Sequence, residues 1–101
     1  MPLQQARERM DGINQNILKL FIERMQLSSN IARIKRATGL PVRDAAREEA
    51  IIEAMRADSP PELQPYVEAL FDTLFALSRA WQEQLDDLDD APLSNTPGEI
   101  P

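Results

Sequence analysis

From Leu3 to Ile34 an apolar side chain recurs at alternating steps of three and four: Leu3, Ala6, Met10, Ile13, Ile17, Leu20, then Leu27, Ile31 and Ile34. That spacing keeps one face of a helix apolar for about four heptads. Gly39 and Pro41 are the first strong stop signals, so the pattern predicts one helix over about residues 3–37. A helix of about 35 residues is roughly 50 Å long. A compact domain of about 100 residues has a radius of gyration of only roughly 13 Å. The helix must overhang its own domain and leave part of its seam wet. The expectation is an obligate homodimer in which a second copy covers that seam.

Two more helices follow. One is expected over about residues 44–57, with Ile51, Ile52 and Met55 as its apolar face and Asp44 as its N-cap. Ser59-Pro60-Pro61 breaks the chain, and Pro65 suits the first turn of a third helix. That helix carries Val67, Leu70, Phe71, Leu74, Phe75, Leu77, Trp81 and Leu85. There is no strand alternation, hairpin signal or internal repeat. The fold class is therefore all-α, with three helices per chain: a long N-terminal helix, a short middle one and a C-terminal one. Residues 1–88 read as one helical domain, and 89–101, drawn mostly from Asp, Pro, Ser, Asn, Thr and Gly, as a disordered acidic tail or linker.

Composition narrows the chemistry. The chain has no Cys and no His, which removes thiolate and imidazole nucleophiles, Cys- or His-based zinc sites and any Ser-His-Asp triad. Carboxylates, hydroxyls, amides, Lys and Arg remain. The net charge of −6 is uneven: residues 1–82 hold 11 acids and 11 bases, whereas 83–101 hold six acids and no base. No basic block suits nucleic acid, no apolar run suits a membrane span or a secretory signal, and the expected setting is cytoplasmic.

Several polar residues stand where the periodicity asks for apolar ones. Arg24 continues the seam 3, 10, 17, 31, and a desolvated guanidinium needs an anionic partner. That partner could be Glu23 or another acid fixing helix register, or a ligand. Lys35 lies eleven residues on, about three turns along and close to the same stripe, so the two cations could bracket a small dianion. Alone, Lys35 reads as a helix-end lysine favoured by the macrodipole. Arg7 is 17 residues before Arg24, about 25 Å away, so it would have to serve a different site, most simply the partner's. Glu48 shares an i, i+4 stripe with Asp44 and Ile52, beside Arg47; ordinary surface charge would look the same. Ser78 interrupts the third helix's stripe between Leu74 and Trp81, with Gln82 one turn on. A lone helical Ser usually bonds back to a carbonyl, but a Ser and a Gln four apart on an inward face invite a further role.

Together these residues resemble the chorismate mutase family of the all-helical class. The matching elements are Arg7, Ile22-Glu23-Arg24 with Lys35, Pro41-Val42-Arg43-Asp44 with Arg47-Glu48, and Phe71 followed by Ser78 and Gln82, across about residues 3–85. The resemblance implies an intertwined dimer with two closed pockets. In each, Arg7 of one subunit joins Arg24, Lys35, Asp44, Arg47, Glu48, Ser78 and Gln82 of the other. It further implies rearrangement of chorismate to prephenate, toward phenylalanine and tyrosine, with no cofactor, metal or covalent intermediate. By the same resemblance Arg24 and Arg7 grip the two carboxylates, with Ser78 assisting. Lys35 and Gln82 donate to the ether oxygen, Glu48 and the backbone around Asp44 hold the ring hydroxyl, and Arg47 orients the carboxylates of the pocket. Lys35, Gln82, Glu48 and Arg24 are the catalytic set. Asn14 stands where the family usually has Asp, and Gly12 inside the first helix costs roughly 1 kcal/mol against Ala; neither belongs to the ligand set. An isochorismate-pyruvate lyase or a 4-amino-4-deoxychorismate mutase could use the same scaffold. A dimeric coiled-coil module with Arg24 as a register device would have no chemistry at all.

Overall fold

The computed structural model describes residues 1–89, with side chains through Asp86. All of the expected tail except Asp89 lies outside the described residues. Three helices make up the architecture: α1 (Leu3–Ala37), α2 (Ala45–Ala57) and α3 (Gln64–Asp89). A single 3₁₀ turn, Pro61–Leu63, precedes α3 and was not anticipated. Its cause is local: Pro65 has no N–H to bond the Pro61 carbonyl in the α pattern, so Gln64 N–H takes that carbonyl instead and Leu63 N–H closes the turn on the Pro60 carbonyl at 2.9 Å. No strand occurs among the described residues, and none of their helices is long and apolar enough to cross a membrane.

The end of α1 is built to return the chain. Gly39 takes φ +73°, the left-handed conformation that costs other residues most. Its N–H reaches the Arg36 carbonyl at 3.3 Å, and Leu40 N–H reaches the Lys35 carbonyl at 2.8 Å. This paired closure is the Schellman arrangement. It folds Val42 back beside Lys35 and carries the chain into α2. Asp44 caps α2 as expected, its Oδ1 accepting from the Arg47 N–H at 3.0 Å. At the other end of α2, Ser59 Oγ donates to the Met55 carbonyl at 2.6 Å and Gln64 Nε2 to the Arg56 carbonyl at 3.0 Å. The last carbonyls of α2 are thereby satisfied from the turn leading into α3.

α3 is the central element, packed against both α1 and α2. Its contact with α1 is partly polar: Trp81 Nε1 donates to Ser29 Oγ at 2.7 Å, and Ser29 Oγ donates on to the Met25 carbonyl at 3.1 Å. Ala32 and Phe75 are the buried apolar residues among those described, with Ser29 and Ser78 the buried polar ones. The seam itself is open: Ile17 is 58% exposed, Leu20 65% and Leu27 57%. The chain measures 56 × 34 × 15 Å between its Cα extremes. The long dimension is that of α1, whose 35 residues span roughly 52 Å of helix.

Candidate active site

One cavity of about 450 Å³ lies where α1, α2 and α3 meet. Of the eight residues expected at the site, seven line it: Arg24, Lys35, Asp44, Arg47, Glu48, Ser78 and Gln82. Arg7 does not, because it sits exposed near the start of α1, about 25 Å of helix from Arg24. Leu27, Ile31, Val42, Ile51 and Phe75 supply the apolar wall. The cavity also contains Ser28 and Arg79.

Arg24 leaves α1 toward α3. Its Nη1 donates to Ser78 Oγ at 2.9 Å, and its guanidinium carbon lies 5.4 Å from the centre of the Phe75 ring. The aromatic face favours a cation there. Both Phe75 and Ser78 are buried, at 6% and 9% exposure, so they form a fixed seat for the guanidinium. Ser78 in turn points its hydroxyl at Met25 Sδ, 3.8 Å away. A thioether is a weak acceptor, so an anion entering the cavity can take over that hydrogen bond at little cost. A guanidinium carries five N–H donors, and one bond to Ser78 leaves it well supplied.

Lys35 Nζ donates to the Val42 carbonyl at 3.1 Å. This contact exists because the glycine turn returns the chain over the end of α1. An ammonium has three donors, so the carbonyl anchors Lys35 with two N–H bonds still to give. Gln82 Nε2 donates to Ser28 Oγ at 2.7 Å and to the Ser28 carbonyl at 3.2 Å. A Gln82 amide that donates to a ligand must exchange one of these contacts for it.

Glu48, in the first turn of α2, meets Arg79 of α3. Arg79 Nη1 lies 2.9 Å from Glu48 Oε1 and 2.8 Å from Oε2. Arg43 approaches from outside, its Nε 3.9 Å from Glu48 Oε1. The pairing with Arg79 was not foreseen from sequence. An arginine next to Ser78 looks like surface charge on its own helix. The available signal was the position of Glu48 at the border of an apolar face, which asks for a cation from another element.

The lining carries four cationic side chains, Arg24, Lys35, Arg47 and Arg79, against the two carboxylates Asp44 and Glu48. Its formal charge is therefore +2. A small, partly enclosed cavity of that charge, apolar on one wall and with N–H donors converging from three helices, is suited to an organic dianion. It has no cysteine or histidine to offer a metal or a covalent step.

Residues 6–83 match the family described as chorismate mutase type II, and the chain belongs to that family. A chorismate mutase of Methanocaldococcus jannaschii is 39% identical over 54 residues, 54% of this chain and 54% of that protein. The bifunctional chorismate mutase/prephenate dehydratase of Enterobacter agglomerans is 36% identical over 52 residues, 52% of this chain and 13% of its own length. The matched region thus spans about half of the first relative and a small part of the second. Among solved structures, the chorismate mutase (form II) of Thermus thermophilus superposes with a TM-score of 0.76 at 33% identity, covering 80% of this chain and 93% of that one.

Proposed function

We propose that the protein rearranges chorismate to prephenate in a cavity completed by a second copy of the chain. The observation that carries this reading is the charge and size of the cavity. Chorismate is a dianion and the lining is formally +2. The rearrangement breaks the ether C–O bond as a new C–C bond forms within the same molecule. It needs no proton transfer and no external nucleophile. What remains for the protein is to hold the enolpyruvyl arm over the ring and to stabilise negative charge growing on the ether oxygen.

The roles follow from reach and chemistry. Arg24, seated on Phe75 and Ser78, offers a planar fork to a carboxylate, and Ser78 adds a hydroxyl. Lys35 and Gln82 are the donors for the ether oxygen, one charged and one neutral. Lys35 is held in place before any ligand arrives, which is the property a preorganised donor requires. Glu48 accepts from the ring hydroxyl, with the capped first turn at Asp44 beside it. Arg47 orients these carboxylates. Arg7 is assigned to the partner's cavity, where it grips the second carboxylate.

The dimer belongs to the same proposal. Within one copy Ala32 and Phe75 are the only buried apolar residues among those described, whereas a stable domain encloses its apolar faces in a core. The exposed seam from Met10 to Ile34 on α1 is the surface a second copy would cover, and that copy supplies the same seam. The direct test is to incubate purified protein with chorismate, without metal or cofactor, and follow loss of its absorbance and appearance of prephenate. Conversion of isochorismate to salicylate and pyruvate, with chorismate untouched, would replace this reading with a lyase.

A further inference from the structure

We propose that Arg79 is a positioning residue that neutralises and aims Glu48, keeping the cavity cationic enough for a dianion while leaving Glu48 able to accept a hydroxyl. The inference rests on the functional reading above. Its physical basis is the pairing across α2 and α3, in which one guanidinium nitrogen sits between the two carboxylate oxygens at 2.9 and 2.8 Å. Both side chains are sheltered, Arg79 at 32% exposure and Glu48 at 21%. Arg43 cannot substitute for it: the gap is 3.9 Å and its side chain is 61% exposed, so solvent screens most of that attraction.

A carboxylate in a site for a dianion is a liability unless its charge is matched. Without Arg79, the lining falls from a formal +2 to +1, and the lost charge is the one touching Glu48. The carboxylate would then repel the substrate it is supposed to hold. With Arg79 in place, each Glu48 oxygen uses one direction on the guanidinium and keeps others, since an ionised carboxylate has roughly four acceptor directions. A ring hydroxyl can donate to one of those. Substrate and transition state both carry two negative charges, so the neutralisation helps both alike. Its removal should therefore weaken binding more than it slows chemistry.

The experiment measures kcat and KM for chorismate in the wild type, Arg79→Ala, Arg79→Lys, Glu48→Gln and the double variant Arg79→Ala/Glu48→Gln, each checked for helicity and dimerisation. Arg79→Ala should raise KM on the order of 10- to 100-fold, the range of coupling between residues in direct contact, with kcat changed far less. Arg79→Lys should recover most of the binding, because it restores the charge. In the Glu48→Gln background the Arg79→Ala change should cost almost nothing, because no negative charge remains to neutralise. Should Arg79→Ala fail to fold, the Lys variant and the double variant still decide the matter. An unchanged KM in Arg79→Ala, or a double variant that loses as much as the two single losses multiplied, overturns the proposal and leaves Arg79 a helix-packing residue. Wild-type protein that leaves chorismate untouched refutes the functional reading itself, and this proposal with it.

Discussion

Arg7 and Lys35 lie at opposite ends of α1, 28 residues apart, which is roughly 42 Å of helix. A ligand the size of chorismate cannot touch both within one chain. If Arg7 completes the partner's cavity, each site of the dimer takes Arg7 from one chain and Lys35 from the other. Arg7→Ala and Lys35→Ala homodimers would then have both sites defective. A mixed dimer would place both defects in one site and leave the other intact. Random co-refolding of equal amounts puts about half the chains in mixed dimers, each with one working site of two. The mixture should therefore show about one quarter of wild-type activity, far above either variant alone. Arg24→Ala mixed with Lys35→Ala is the control: both residues line the same cavity of the same chain, so every site keeps a defect and no activity returns. The assay is chorismate consumption after refolding, with subunit exchange verified by a mass or affinity tag on one variant. Exchange without recovery in the Arg7 and Lys35 mixture would refute the assignment of Arg7 to the partner's site.

Lys35→Ala should lower kcat by at least about 10²-fold, about 3 kcal/mol, as for loss of one preorganised oxyanion donor, with steady-state kinetics as the check. If a second copy covers the exposed seam on α1, folding is coupled to association and unfolding midpoints should rise with protein concentration; a midpoint independent of concentration, with a folded monomer in sedimentation, would defeat the proposed dimer. Gly12→Ala should stabilise each chain by about 1 kcal/mol, since a methyl there meets nothing within 4 Å and the position is off the seam. Gly39→Ala should destabilise by about 1–2 kcal/mol, because φ is +73°, and should also impair kcat by loosening the return of Val42 toward Lys35. Thermal melts read both glycine variants.

The helix boundaries were legible because punctuation and periodicity agreed. Gly39, Pro41, Asp44 and the Ser59-Pro60-Pro61 break each act within a few residues of themselves, so no tertiary information was needed to read them. Only the 3₁₀ turn at Pro61–Leu63 escaped, since a diproline marks a break without fixing the geometry on its far side. Arg24 and Ser78 could be singled out for a related reason: each violates its own helix's pattern. The structure places them 2.9 Å apart, two anomalies that answer each other.

Arg79 and Ser28 were harder because neither violates anything locally. An arginine beside Ser78, or a serine one turn past Arg24, is ordinary on a helix surface. Their partners are set by how α2 and α1 dock on α3, a relation between helices that no single helix's periodicity contains. The same limit explains Trp81, which reads as a plain apolar stripe residue until its indole N–H is found on Ser29. Sequence pattern reveals a site where function disturbs local regularity. It is silent where function uses residues that are locally unremarkable and are made significant by packing. For Glu48 the two cases meet: its position at the edge of an apolar face signals that a counter-charge is needed, and the packing of α3 decides that the counter-charge is Arg79 rather than its sequence neighbour Arg47.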